Sequence, residues 1–430
     1  MYREILNHLA EWKDKSARKP LLLAGARGVG KSYALKDFGD GFFTNTAVFD
    51  FKLQEYVKYL FAEEVDKELI LKKLSISCGE SIIPGETLLV FENVDALDNC
   101  VDILRFICDE MSEFHVAYTL MQEETSFLAK NIVIKYKTEV IFLYPMSFSE
   151  FLIINKESAF CDKITNQAKE PLNDEEQQKL EKYLSLYMIT GGMPSVLRTY
   201  VETMSLNQVE AEKAKILFAM NEEIDKVENV AFRNKIKQVV ESIPVQLEKD
   251  NKKFQYGAVK LTARAREYKD AVDWLIQHKY VMPLYRAKQP TTPLSSQKDD
   301  KSFELFVVDV GLLASMFGLT YKDMEEASSP FDLKNGALTE QYIYEELMHN
   351  PNVTDIYYWI SEATARIEFM FQDGDAVIPI EVNLDCNEKA QSLKVFKTRY
   401  QIPMAIRVTR GTMGMEAGLL SLPLFSLWNL

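Results

Sequence analysis

The chain has 430 residues, 47% hydrophobic and 27% charged, with 17 Gly and 14 Pro. That mixture fits a globular protein of two or three domains and excludes collagen, disordered and low-complexity scaffolds. The formal charge of −14, from 50 basic and 64 acidic residues, leaves no overall field that would gather nucleic acid, so any such contact must come from a local patch.

Residues 1 to about 150 alternate apolar runs with amphipathic stretches. The runs Leu21–Ala24, Ala47–Phe49, Leu88–Phe91, His115–Tyr118 and Val140–Leu143 predict five strands of a doubly wound α/β domain with a parallel sheet. Residues 150 to 230 read as helical. Residues 231 to 290 change sign, with 13 Lys and Arg against 6 Asp and Glu; this island of +7 leaves −21 on the other 370 residues. A polar loop follows from Gln289 to Asp300. Beyond Ser328-Ser329-Pro330 come a helix over Ala337–His349 and strand-like text from Ile356 to Val382.

Gly25-Ala26-Arg27-Gly28-Val29-Gly30-Lys31-Ser32 fits G-x-x-x-x-G-K-[ST] in full, directly after a strand and directly before the helix-like Tyr33-Ala34-Leu35-Lys36. In that setting the backbone N–H groups around Gly25, Arg27, Gly28 and Gly30 converge on phosphate oxygens, and the helix N-terminus adds its positive dipole end. Lys31 reaches the β and γ phosphates and Ser32 ligates Mg²⁺, so ATP or ADP with Mg²⁺ is the expected cofactor. Such a site also needs a carboxylate at the end of a neighbouring strand. Thr87 to Asp95 supplies Glu92, which can hold the metal through water, followed by Asn93, which cannot accept a proton. Glu92 or Asp95 must then act as base, and without one the rate falls by about 10²–10⁴. The plainer alternative makes Glu92 and Asp95 surface caps after a buried strand.

The run Lys19 to Arg27 with Val29 to Ser32 resembles the prokaryotic AAA-type ATPases that carry a C-terminal domain of unknown function related to restriction-endonuclease-like folds. Leu143 to Leu152, Gly191-Gly192-Met193-Pro194, Lys253 to Tyr256, Asp309 to Leu313, Gly336 to Glu340 and Ile378 to Val382 agree in order. The resemblance implies a P-loop ATPase domain, set at 1–155, and an endonuclease-like domain over 326–430; between them the residues themselves predict a helical lid over 156–230 and a winged-helix-like middle over 231–325. It also exposes departures. Glu92-Asn93 stands where such proteins place Asp-Glu, and Leu120-Met121 where they place a polar Gly-Ser sensor, leaving Thr119 or Gln122 to substitute. Gly191 to Pro194 is similar to the Gly-x-Pro element of signalling ATPases, which implies that Pro194 sits against nucleotide; a tight helix-helix turn is the alternative. Arg198, one turn on, reads as a solvated helix face more than as a phosphate sensor. Chains of this kind often assemble, so an oligomer stays open.

Within the basic island, Asn234–Leu247 and Arg264–Gln277 read as amphipathic helices, the second with Leu261, Ala265, Tyr268, Val272 and Leu275 along one apolar face. Two strands follow, over 280–286 and 303–308. Helix, helix and a two-stranded wing outline a winged helix, in which Arg264, Arg266, Lys269, Lys288 and Lys298 would meet DNA phosphates. A solvated face is the alternative.

Near the C-terminus, Ile367–Phe371 and Val377–Asn383 flank Asp373-Gly374-Asp375 as a hairpin. With Glu340 on the preceding helix, Glu368 and Glu381 form three carboxylates of the kind nucleases gather around Mg²⁺. Asn383 stands where relatives often show Lys, so metal binding is an expectation and cutting is not. His8, His115, His278 and His349 are isolated and read as structural. The cysteines Cys78, Cys100, Cys108, Cys161 and Cys386 are scattered without a C-x-x-C pair, which argues against disulfides and structural zinc. Met1 to Lys15 lacks an apolar h-region and no long uncharged apolar run occurs, so a cytoplasmic protein with no membrane partner is expected. The leading function is an ATP-binding regulatory or switch ATPase with slow hydrolysis; the alternative is a nucleotide-bound DNA-binding protein using residues 231–290.

Overall fold

The computed structural model describes all residues except 55–60, 62–65, 122–123, 362–364 and 385–390. Gln122 and Cys386 therefore lie outside the described residues. The chain divides into two compact units, one of residues 2–144 with 277–279, the other of residues 145–276 and 280–430 with Met1.

In the first unit, the five apolar runs form strands β1 (Leu21–Ala24), β2 (Asn45–Asp50), β3 (Thr87–Glu92), β4 (His115–Tyr118) and β5 (Glu139–Phe142). Every pairing is parallel and the order is β2-β3-β4-β1-β5. Continuous rather than alternating apolar text is what a sheet covered on both faces demands, and β1, β3 and β4 are buried along their whole length. Phe91 is fully buried, and its ring lies 5.7 Å from Phe49, 6.0 Å from Phe51 and 5.9 Å from Phe61. The helix Cys100–Glu110 buries Ile103, Leu104 and Ile107 against this core. Because the strands are parallel, they end along one edge, and the register sets Asp50 opposite Glu92 there.

In the second unit, helices occupy much of 148–276, two of them started by reciprocal caps: Ser147 with Glu150, and Asn173 with Glu176. The expected helices of the basic island are present as Val230–Leu247 and Ala265–Gln277. Tyr268, Val272 and Leu275 are buried as the apolar stripe requires, but Leu261 precedes the helix and is 99% exposed, and Ala265 is exposed at its first turn.

The hairpin also forms, as β6 (Val281–Ala287) and β7 (Lys298–Val307). It is not a free wing. With β8 (Thr354–Ile360), β9 (Arg366–Asp373), β10 (Ala376–Val382), β11 (Ala405–Thr409), β12 (Gly414–Glu416) and β13 (Leu419–Pro423) it makes one sheet of order β12-β13-β11-β10-β9-β8-β6-β7. The join is a parallel pairing of Tyr285 with Tyr357 and Arg286 with Tyr358. Strands on either side of residues 325 and 326 thus share one sheet. The expected helix is present as Ala337–His349. Its Gln341 accepts from Val307 N at 3.0 Å and donates to Val307 O at 2.7 Å, closing backbone groups of β7 with a side-chain amide.

Candidate nucleotide-binding site

β1 runs into a loop that leaves ordinary backbone space at each glycine, with φ of +151° at Gly25, +85° at Gly28 and +94° at Gly30. A Cβ on Gly25 would stand 2.2 Å from the carbonyl oxygen of Leu143, so no larger residue fits. Left-handed Gly30 caps the helix Lys31–Phe42, whose first-turn N–H groups have no intrahelical partners and favour an anion. Buried Arg3 pins the loop by donating to Val29 O at 2.9 Å and Tyr144 O at 2.8 Å.

Lys31 is half-buried and its Nζ donates to Gly25 O at 2.6 Å and Ala26 O at 3.1 Å. Burial lowers its pKa to about 8, against the pull of Glu92 and Asp95, so it remains cationic at neutral pH. Two neutral carbonyls are weaker partners for an ammonium than a phosphate oxygen. The same Gly25 oxygen also accepts from Lys279 Nζ at 3.2 Å.

Glu92 is buried at the end of β3 and bonded to the side chain of exposed Ser32. Burial raises its pKa; the Ser32 bond and Lys31 oppose that, and Asp50 adds to it. Loop and carboxylate thus meet through the two residues expected to share a magnesium ion. A hydroxyl paired with a carboxylate is also the chemistry such an ion takes from a P-loop.

Asp50 closes the rim: its Oδ1 accepts from Lys52 N at 2.8 Å, Leu53 N at 3.1 Å and Asn93 Nδ2 at 3.0 Å. Asn93 is left-handed, at φ +55°, and its N–H donates to Thr119 Oγ1 at 3.1 Å. Thr119, one of the two expected sensors, is buried and its hydroxyl oxygen accepts from that backbone N–H. Asp95 accepts from Met121 N at 2.8 Å. Sequence reasoning missed Arg3, Asp50 and Lys279, because only the strand pairing and long-range hydrogen bonds bring them to the loop.

Pro194 and Arg198 belong to the second unit. Pro194 opens the helix Pro194–Thr203 as its first residue and Arg198 is exposed. The preceding glycines are clasped by Asp309, whose Oδ2 accepts from Gly192 N at 2.6 Å. A Cβ on Gly191 would meet Asp309 Oδ1 at 2.1 Å, and one on Gly192 would meet Met146 O at 2.1 Å. Burial raises the Asp309 carboxyl to about 6, opposed by the N–H groups of Gly192 and Leu312. Two motifs that stand 117 residues apart in the chain are therefore one junction.

Each of the three C-terminal carboxylates has partners of its own. Glu340 is held by Lys252 at 2.5 Å and Arg366 at 2.9 Å, and Arg366 also binds Glu304 at 3.0 Å. Glu368 accepts from Val382 N at 3.1 Å. Glu381 accepts from Leu393 N at 3.1 Å and lies 3.6 Å from Arg407 Nε. Among the described residues no group of three or more His, Cys, Asp or Glu is placed to hold a metal. Fixed side-chain cations neutralise Glu340, and Glu368 and Glu381 each accept from a backbone N–H.

Of the basic residues, Arg264, Arg266, Lys269 and Lys288 are exposed. Lys298 is engaged with Asp300 at 3.0 Å and lies 3.8 Å over the Tyr285 ring.

The first unit is thus a nucleotide-type P-loop built on a parallel α/β sheet, the class to which AAA-type ATPases belong. Residues 17–152 match the family described as AAA domain. Residues 181–323 and 335–425 match two families described as domains of unknown function, DUF8612 and DUF4143. The chain therefore carries an AAA-type ATPase domain followed by two regions of uncharacterised families. No curated protein matches it.

Solved structures similar to the chain include the Aeropyrum pernix Orc1 protein in complex with DNA, at 15% identity over 73% of this chain and 91% of that one, TM-score 0.28. A Thermotoga maritima RuvB variant shares 14% over 68% and 88%, TM-score 0.31, and Cdc6p from Pyrobaculum aerophilum 10% over 80% and 94%, TM-score 0.25. The AAA assignment rests on the domain match and the loop geometry, not on these distant likenesses. No helix among the described residues is long and apolar enough to cross a membrane.

Proposed function

We propose that the protein is an ATP-binding switch ATPase of slow turnover, in which nucleotide on the Gly25–Ser32 loop sets the state of the rest of the chain. The observation that carries this is the pairing of an intact loop with a Glu92–Ser32 contact. Backbone N–H groups of Gly25, Arg27, Gly28 and Gly30 and the ammonium of Lys31 would hold the phosphates. Ser32 and Glu92 would hold Mg²⁺, which supplies charge neutralisation of the phosphates when bound. Slow hydrolysis follows from Asn93, whose amide is tied to Asp50 and has no basic oxygen to take a proton from water. Glu92 and Asp95, the latter accepting from Met121 N, are the carboxylates left for that task.

The test is calorimetry of MgATP and MgADP, with phosphate release measured alongside. Both nucleotides should bind, Lys31→Ala should weaken binding by about 100-fold, as loss of a charge-assisted contact does, and turnover should stay far below one per second. Equal affinity in Lys31→Ala overturns the reading.

A second reading, a DNA-binding protein with nucleotide as a structural ligand, is favoured by one observation: Lys260, Arg264, Arg266 and Lys269 are all exposed at the start of the helix Ala265–Gln277. Affinity for duplex DNA falling steeply with salt would support it. In both readings we take the C-terminal, endonuclease-like region as non-cutting, since Lys252 and Arg366 neutralise Glu340 and Asn383 carries no amine.

A further inference from the structure

We propose that Lys279 is a second phosphate-binding cation of the loop; this rests on the nucleotide-binding reading above. Its Nζ and that of Lys31 donate to one acceptor, the carbonyl oxygen of Gly25, at 3.2 and 2.6 Å. Both ammonium groups thus stand at the first residue of the phosphate loop, where an anion lying between them would contact both. The triphosphate of a nucleotide is such an anion, and Gly25 opens the loop built to receive it.

The backbone brings Lys279 there by design of the turn. The helix Ala265–Gln277 ends two residues earlier, Tyr280 N returns to Leu275 O at 3.0 Å, and Lys279 takes a left-handed φ of +56°. Glycine fits that position freely, whereas a lysine there is strained, so local turn chemistry does not account for the residue. Residues 277–279 are compact with the P-loop unit while Ile276 and Tyr280 on either side are not.

The experiment titrates MgATP and MgADP into full-length wild type, Lys279→Met and Lys279→Arg, at two salt concentrations, with the unfolding midpoint of each nucleotide-free protein as control. Lys279→Met should bind MgATP at least tenfold more weakly and with a shallower salt dependence, while Lys279→Arg keeps affinity within about threefold. MgATP affinity within twofold of wild type in Lys279→Met, or an equal loss in both variants, overturns the proposal, the latter because packing and not charge would then be responsible. Wild type that binds no nucleotide removes the parent reading instead.

Discussion

Glu92 and Glu340 are both buried glutamates beside a lysine, yet they are held in opposite ways. Glu92 faces an exposed serine and a lysine that rests on backbone carbonyls, and burial leaves its pKa raised. Burial acts on Glu340 too, but Arg366 and Lys252 more than reverse it and the pKa falls below the usual carboxylate value. The first arrangement has charge to spare for a ligand. The second is complete within itself, and removing one member leaves buried charge with no partner.

That contrast can be broken at its rigid end first. Arg366→Met should destabilise the protein by about 3–5 kcal/mol in chemical unfolding, since Glu304 and Glu340 lose a shared partner. A change under 1 kcal/mol would mean that the cluster is solvated and not closed.

Gly25→Ala should cost about 1–3 kcal/mol and abolish measurable nucleotide binding, because the new Cβ collides with the backbone of Leu143. Unchanged binding would show that the loop tolerates another shape.

At the rim, Asn93→Asp places a second carboxylate against Asp50 and should cost about 1–2 kcal/mol; adding Asp50→Asn should restore most of it. Additive losses in the double variant would separate the two residues.

The smallest effect is a pH dependence. Burial raises Glu304, and likewise Glu368, to about 7, although Arg366 opposes this in each case. The folded state then binds protons that the unfolded chain releases above about 4.5, so this stability is full below that pH and is lost as pH rises to about 7. The stability of wild type relative to Glu304→Gln should accordingly fall between pH 5 and 7.5; a flat difference would contradict it.

Much of this was legible in the chain. The loop motif, the parallel strands and the helix Ala337–His349 follow from local pattern, because a covered strand, a phosphate turn and a helix each impose their own spacing. Partners are a different matter. Spacing places Glu381 and Asn383 on one face of a strand but cannot say that Arg407 approaches one of them. Asp50 carries no motif and matters only because β2 pairs with β3 in a register that sets it beside Glu92. The hairpin read as a wing was correct in its local turn, and its membership of the larger sheet rests on two residue pairs with a strand some 70 residues later.

The central claim is that the loop from Gly25 to Ser32 grips a nucleotide through Lys31. Isothermal titration of the full-length protein with MgATP, beside Lys31→Ala, tests it most directly. Saturable heat for one site in wild type and an affinity about 100-fold weaker in the variant is the predicted result. No heat in wild type, or identical isotherms for the two, would contradict it.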